Sequence, residues 1–516
     1  MRRPVDIDDL HRVESALTDP AHADAVDMVM SRAADDIYRV ASETGTVEFV
    51  RTVVSGTDRD GGHVERYDYA VVSTSGTDPL ARRSAEHDTD LSRERSAPRP
   101  HRDDNTYPHA FDQIAQFFDA PHAPDLLVQH TAAHRYGGNV GQHGSLGIVQ
   151  ARAPFVASGA GVATRGTVAT SARMIDVAPT VLTLLGVSPH PSGIGPTGAR
   201  RPDALLARQD GDVMDEVVSG EVADHVVIVL LDGCNANVLD DAVRSGLAPT
   251  IAALAHDGTT LGGGLLASLP TATLANHTTA STGAHPGHSG VLHNMWHDRA
   301  TGIRPDLLAL DQVFDAMCHL RPGIESIHHA LHRHRPDAFT ASLFELCDAG
   351  ADVSSFEAFR VGAPPALPPA DATSGAHEGF VAASGSYSFM SSVDELATRQ
   401  AVDLWDRRDG NPLPTLTFLA LSLTDEAGHE AGPYGEMTAA AIADSDARIA
   451  RLVEAVDRAG ARGSTAFLVM ADHGMQESAA DNDATWEPAL AGAGPDAHGR
   501  RPVDVADGFV YFLDHA

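Results

Sequence analysis

With 516 residues and 43% hydrophobic content, the chain can bury a sizeable core, as about three average domains or as one large α/β domain with insertions. Its formal charge of −34, from 37 basic and 71 acidic residues, argues against binding to nucleic-acid polymers, whose backbones would be repelled. All the basic residues are Arg, and a small anionic substrate would have to be attracted locally, by metal ions. Three widely spaced cysteines make no disulfide framework and suit a reducing compartment. Met1 to Val13 has no apolar signal region, and no run of about 18 apolar residues is present. The expectation is a cytoplasmic protein without a membrane partner.

In chain order, Ala25–Met30 reads as a strand, and Val40–Val54 and Val64–Val72 as hairpin strands around a polar turn. Residues 84–108 are charged and loop-like, Ala110–Phe118 a short helix, and Asp125–Gln129 a core strand. Ala153–Ala157 is a strand, and Ser171–Leu185 an amphipathic helix interrupted by Pro179. Residues 189–222, rich in Pro, Gly and acid, read as a linker. Six apolar residues, Val226 to Leu231, then form a buried parallel strand that stops at Asp232-Gly233. Pro249–His256 is a helix and Thr259–Ser268 a strand leading to Thr273. Asp306–Arg335 reads as largely helical, Phe339–Leu346 as a strand, Pro364–Tyr387 as a loop near the site, and Val393–Arg407 as a helix. Leu416–Leu423 is a strand that delivers Asp425, Thr438–Ala459 a periodic helix, and Thr465–Met470 a strand that delivers Asp472. Strands alternating with helices imply a largely parallel sheet with helices on both faces.

Open α/β sheets place ligands at the carboxyl ends of their strands. Asp232 stands at one such end, Asp425 and His429 at a second, and Asp472-His473-Gly474 at a third. Hard oxygens and imidazoles from three strand ends are what a zinc pair needs. Each piece alone has a plainer reading: Asp232 or Thr273 as a helix N-cap, Asp425 and His429 as a capped helix with an exposed His, Asn294 as a turn former. Cys234 reads as a small buried residue, His277 as a packed one, and His328, His329, His332 and His334 as a solvated helix face.

Taken in order, LLDG, LPTATLANHTTASTGAHPGHSGVLHN, TDEAGHEAGP and MADHGM resemble the alkaline phosphatase superfamily, in its nucleotide pyrophosphatase/phosphodiesterase branch. The resemblance implies a three-layer α/β/α sandwich and a zinc-dependent phosphodiesterase or pyrophosphatase acting on a small phosphate ester. Thr273 stands where the branch has its nucleophile, which forms a phosphothreonine; Ala275 replaces the usual Pro. Two zinc ions are implied, one held by Asp232, Thr273, Asp472 and His473, the other by Asp425, His429 and His143. Asn294 stands where the family has a donor to a phosphate oxygen. The rival activities are phosphomonoester or carbon–phosphorus hydrolysis, and the rival of another class is an inactive metal-binding homologue.

One feature of the order is unlike the family. The block GQHGSLGIVQARAPFVASGAG…MIDVAPTVLTLLG, which resembles the usual C-terminal ending, precedes Asp232. The expectation is a circular permutation: residues 1–188 match the usual C-terminal part, 189–222 link, and 223–516 match the usual N-terminal and central parts of the same catalytic domain. A mis-assembled gene is the alternative. His143 and His498 both precede a Gly; the family context around His143 favours it as the last zinc ligand.

Overall fold

The computed structural model describes residues 5–57, 61–84, 91–309, 311–369 and 384–514. The apolar run before Asp232 forms the strand His225–Leu231, buried from Val226 onward and central in an eight-stranded sheet. Across that sheet the strands are Val353–Ser354, Thr340–Leu343, Leu416–Leu421, His225–Leu231, Thr465–Met470, Phe155–Gly159, Gly258–Leu261 and Gly166–Val168. The first five run parallel, and Phe155–Gly159 runs against both of its neighbours.

Leu416–Leu421 and Thr465–Met470 are buried at every residue, as parallel strands covered on both faces must be. Helices Gly385–Trp405, Glu436–Arg458 and Pro249–His256 pack together as one layer. Val177–Leu184, Ile327–His334 and Thr273–Thr282 pack together as another. Apolar residues of both layers join the strands in one core. The fold is the expected α/β sandwich. Among the described residues no helix is long and apolar enough to cross a membrane.

A second sheet of seven strands is antiparallel throughout and mixes the two ends of the sequence. Leu126–His130 pairs with Val26–Ala34 on one side and with Phe509–Leu513 on the other. The helix Ile7–Leu17 packs against Glu487–Ala493.

Several expectations shift. Val40–Val54 is two strands, Ile37–Ser42 and Gly45–Thr57, joined by a tight turn at Glu43-Thr44. Asp125–Gln129 yields a strand of the antiparallel sheet, not of the central one. Pro179 does not interrupt a helix; it stands in the first turn of Val177–Leu184, where no intrahelical N–H is needed. Among its described residues Asp306–Arg335 is helical only at Val313–His319, a 3₁₀ segment, and at Ile327–His334, because Arg321-Pro322-Gly323 breaks it. Within the loop read over 84–108, residues 85–90 lie outside the described residues and Leu91–Ser96 is a helix. Within Pro364–Tyr387, residues 370–383 lie outside them, and a helix already begins at Gly385.

Residues 189–222 hold no helix or strand beyond isolated bridges, yet Leu205, Leu206, Met214 and Val217 are buried in the main core. An ionic cluster ties this segment to the antiparallel sheet. His288 lies between Asp210 of the segment (2.6 Å) and Asp119 (3.0 Å), and Asp119 also pairs with Arg51 on Gly45–Thr57 (2.6 Å). Burial opposes charge on Asp119, but hydrogen bonds from His288 and Arg51 outweigh it and hold the carboxyl at about 2. Burial likewise opposes charge on His288, but Asp210 and Asp119 raise its imidazole above the ordinary 6.5. The depressed Asp119 stabilises the fold fully above about 3.8 and loses its effect as pH falls toward 2. The raised His288 stabilises it fully below 6.5 and loses its effect as pH rises beyond that. The stability difference between wild type and His288→Asn, measured by urea unfolding across pH, is therefore expected to be greatest between about 4 and 6.5. A difference that does not vary with pH would contradict the assignment.

Candidate active site

Strand register builds the centre. Leu231 pairs with Leu421 and Leu230 with Met470, so the three central strands end at one level. Past those ends the chains bind one another. The Asp232 N–H donates to Leu421 O (2.9 Å), the Gly233 N–H to Asp472 Oδ1 (3.0 Å), and Thr424 Oγ to Asp232 O (2.5 Å). Gly233 has φ 65°, and a Cβ there would lie 2.5 Å from Asp425 Oδ1. Only glycine lets the Asp425 carboxylate cross at this point.

The capping alternatives fall to other residues. Asn235 precedes the helix Ala236–Ser245, so Asp232 is not its cap. Asp394 accepts the Ser422 and Leu423 N–H groups (2.8 and 3.2 Å) at the start of Leu423–Ala431, leaving Asp425 in the first turn with its side chain uncommitted. Ala272 precedes Thr273–Thr282, and Thr273 is its first helical residue. Asn276 fastens the preceding turn, accepting the Ser268 N–H (2.7 Å) and donating to Pro270 O (2.9 Å).

The structure brings His143 to Asp425 and His429 across nearly 290 residues of chain. Its Nε2 lies 3.2 Å from His429 Nε2 and 3.9 Å from Asp425 Oδ1, and His429 Nε2 lies 3.4 Å from Asp425 Oδ2. Each ring is held by its other nitrogen, His143 Nδ1 to Thr271 O (2.9 Å) and His429 Nδ1 to Gly141 O (2.8 Å). Thr271 is spent on this loop: its hydroxyl donates to Ser145 O and accepts the Gly144 N–H. Burial and the adjacent His473 and His429 rings push the His143 imidazole well below its usual value, which keeps it neutral and able to ligate. His498 is exposed, on a loop before the strand Arg501–Asp504.

His473 Nε2 lies 3.1 Å from Asp472 Oδ2, 3.8 Å from Asp232 Oδ1 and 3.3 Å from Thr273 Oγ. Its ring stacks on His143 at 4.0 Å, joining the two halves of the centre. Asn294 Oδ1 accepts the Leu274 N–H (3.1 Å), which fixes its amide at the helix start. Cys234 is buried, as expected of a small core residue.

Sequence reasoning passed over two residues. His277 is a packed residue, but its Nε2 faces Asp472 Oδ2 (3.7 Å) and Asp232 Oδ2 (4.0 Å), while Nδ1 meets Glu345 Oε2 at 2.7 Å. Glu345 follows the strand Thr340–Leu343, a position like that of Asp232 after its own strand, and that was the available signal.

The donors suit a divalent cation. Asp232 Oδ1, Asp425 Oδ1, Asp472 Oδ2 and His277 Nε2 are buried without a hydrogen-bond partner among the described residues. Three donor groups each converge within 4.8 Å: His143, Asp425 and His429; Asp232, Asp425 and His473; Asp232, His277 and Asp472. Burial, with Asp472 and Asp425 alongside, holds the Asp232 carboxyl well above the ordinary carboxylate range. A cation would remove that repulsion.

Among solved structures, murine ectonucleotide pyrophosphatase / phosphodiesterase 5 is 16% identical over 49% of this chain and 57% of its own, with a TM-score of 0.32. The same murine protein has also been solved as an inactive variant in complex with AMP. Phosphonoacetate hydrolase from Sinorhizobium meliloti 1021, in complex with phosphonoacetate, is 18% identical over 54% of this chain and 58% of its own, with a TM-score of 0.28. The chain thus spans less than two thirds of the length of these proteins. No curated protein matches. The profile of the type I phosphodiesterase / nucleotide pyrophosphatase family matches residues 226–503, more than half of the sequence. The chain belongs to the type I phosphodiesterase / nucleotide pyrophosphatase family.

Proposed function

We propose that the protein is a metal-dependent hydrolase of small phosphate diesters, with Thr273 as its nucleophile. The observation that carries this reading is the convergence of partnerless carboxylate oxygens beside the Thr273 hydroxyl at a helix N-terminus. Asp232, Thr273, Asp472 and His473 would hold one zinc ion, and Asp425, His429 and His143 the other. When bound, the ions supply Lewis-acid activation of a hydroxyl and neutralise phosphate charge.

The chain's own groups do the rest. The first turn of Thr273–Thr282 presents backbone N–H groups and the positive end of its dipole to an anionic phosphate. Thr273 Oγ attacks phosphorus in line; the new O–P bond forms as the bond to the leaving alcohol breaks. The covalent intermediate keeps the second ester group; water then cleaves its Thr273 O–P bond, releasing the phosphate monoester and restoring the hydroxyl. Asn294 Nδ2 donates to a phosphate oxygen, steadied by its bond to Leu274. Thr271 supports the His143 loop and takes no part in the attack.

We also propose that the chain is circularly permuted within one catalytic domain, residues 1–188 being its usual last part, 189–222 a connection, and 223–516 the usual first and central parts. Two observations support this. His143 lies outside the family match, yet joins Asp425 and His429. The strands Val26–Ala34 and Phe509–Leu513 flank one common strand.

Thr273→Ala is expected to lose at least about a thousandfold in turnover of bis-nitrophenyl phosphate with the fold retained, whereas Thr271→Ser keeps most of the rate. Nitrophenyl monoester and phosphonoacetate, assayed alongside, decide between the diester and its rivals; a preference for either would overturn the diester assignment. Chelation should abolish turnover and lower the unfolding temperature together, since an ion that binds only the folded state stabilises it. Gly233→Ala should weaken zinc binding by displacing Asp425, as read by chelator competition, while Gly246→Ala, at φ 81° in open space, should leave zinc affinity unchanged.

A further inference from the structure

We infer that His277 is a ligand of the metal centre, presenting Nε2 to an ion shared with Asp232 and Asp472, and that Glu345 is the residue that positions it. The inference rests on the metal-dependent reading above and extends it to two residues outside the proposed ligand set.

His277 lies one turn after Thr273 on the same helix, and residues four apart share a helix face. The ring is 1% exposed, and its Nε2 has no hydrogen-bond partner among the described residues. A buried ring nitrogen without a partner is costly unless something unshown meets it. What it faces is two carboxylate oxygens, at 3.7 and 4.0 Å. Those separations are too long for hydrogen bonds. They suit donors on a common ion, since two bonds of about 2.1 Å span up to about 4.2 Å. Asp472 Oδ2, the nearer of the two, accepts no hydrogen bond among the described residues and also faces His473 Nε2 at 3.1 Å.

The other ring nitrogen decides which tautomer is presented. Nδ1 meets Glu345 Oε2 at 2.7 Å, and a carboxylate there accepts the Nδ1–H. The lone pair of the neutral ring is then on Nε2, aimed at Asp232 and Asp472. A carboxylate behind a ligating histidine fixes ring orientation and raises basicity. Glu345 is fully buried and is itself held, its Oε1 accepting the Cys347 N–H (3.1 Å) and the Ser281 hydroxyl (3.4 Å). It follows the strand Thr340–Leu343, one residue past Phe344 at φ 52°.

The test compares wild type, His277→Asn and Glu345→Gln as ion-free protein titrated with Co²⁺. Stoichiometry comes from elemental analysis, affinity from chelator competition, and coordination from the visible absorption of bound cobalt. His277→Asn is expected to lose tenfold or more in affinity for one ion, with an altered cobalt spectrum. The isosteric Glu345→Gln should lose about ten- to a hundredfold. Circular dichroism of the ion-free proteins identifies any misfolding, and Glu345→Gln carries the test if His277→Asn misfolds. Wild-type affinity and spectrum in the folded variants would overturn the inference while leaving a two-ion wild type intact. A wild type that takes up no ion would overturn both this inference and the proposed function.

Discussion

Like charges buried together are the constraint on which this structure turns. Asp232, Asp425 and Asp472 leave adjacent strand ends at one level, and all three have partnerless oxygens inside the protein. Two unit charges about 4 Å apart interact by about 4 kcal/mol at an effective dielectric of about 20. Such repulsion persists in a folded protein only if something meets it. Burial first, and then the neighbouring Asp472 and Asp425, raise the Asp232 carboxyl above the ordinary carboxylate range. Imidazoles crowd the same place, with His143, His429, His473 and His277 each aiming one nitrogen at a carboxylate and fixing the other elsewhere. That pattern of one committed and one offered nitrogen is what a cation site requires of histidine.

Around this centre the scaffold takes over every competing role. Asp394 caps the helix that carries Asp425, so Asp425 does not have to. Thr271 and Asn276 fasten the turn before Thr273, so the Thr273 hydroxyl stays available. Gly233 removes the side chain that would occupy the path of Asp425. Gly141 and Gly428 similarly allow the His143 loop to press on the Asp425 helix against Met475, where a Cβ at either would clash. Buried turns with all their polar groups spent give side chains little freedom, which is how a site gains rigid geometry.

The antiparallel sheet contributes to the site at a distance. It anchors Leu126–His130, and the loop that follows carries Asn139 and His143 to His429. Its outer part is fastened to the sandwich by Arg51, Asp119, His288 and Asp210. Mixed charges with matched partners in a half-dry interface favour one docking geometry over others.

Much of this was written in the residues. Apolar runs stopping at Asp232 and before Asp425 and Asp472 marked the parallel strands and their carboxyl ends, because a buried strand has no other pattern. The resemblance of four motifs to one family pointed to Thr273, and the family context around His143 pointed to it over His498. Pairwise meaning was not legible. Nothing local told that Pro179 begins a helix, that Val40–Val54 folds back on itself, or that residues 189–222 are packed. His277 read as a packing residue because its two partners come from remote segments, Glu345 on one side and Asp232 with Asp472 on the other. The sequence by itself determined which residues bear chemistry and at which strand ends they stand, since local periodicity and strand termini are properties of short segments. Only the tertiary structure decided which of them share one centre, because strand register and long-range docking set distances that no spacing along the chain encodes.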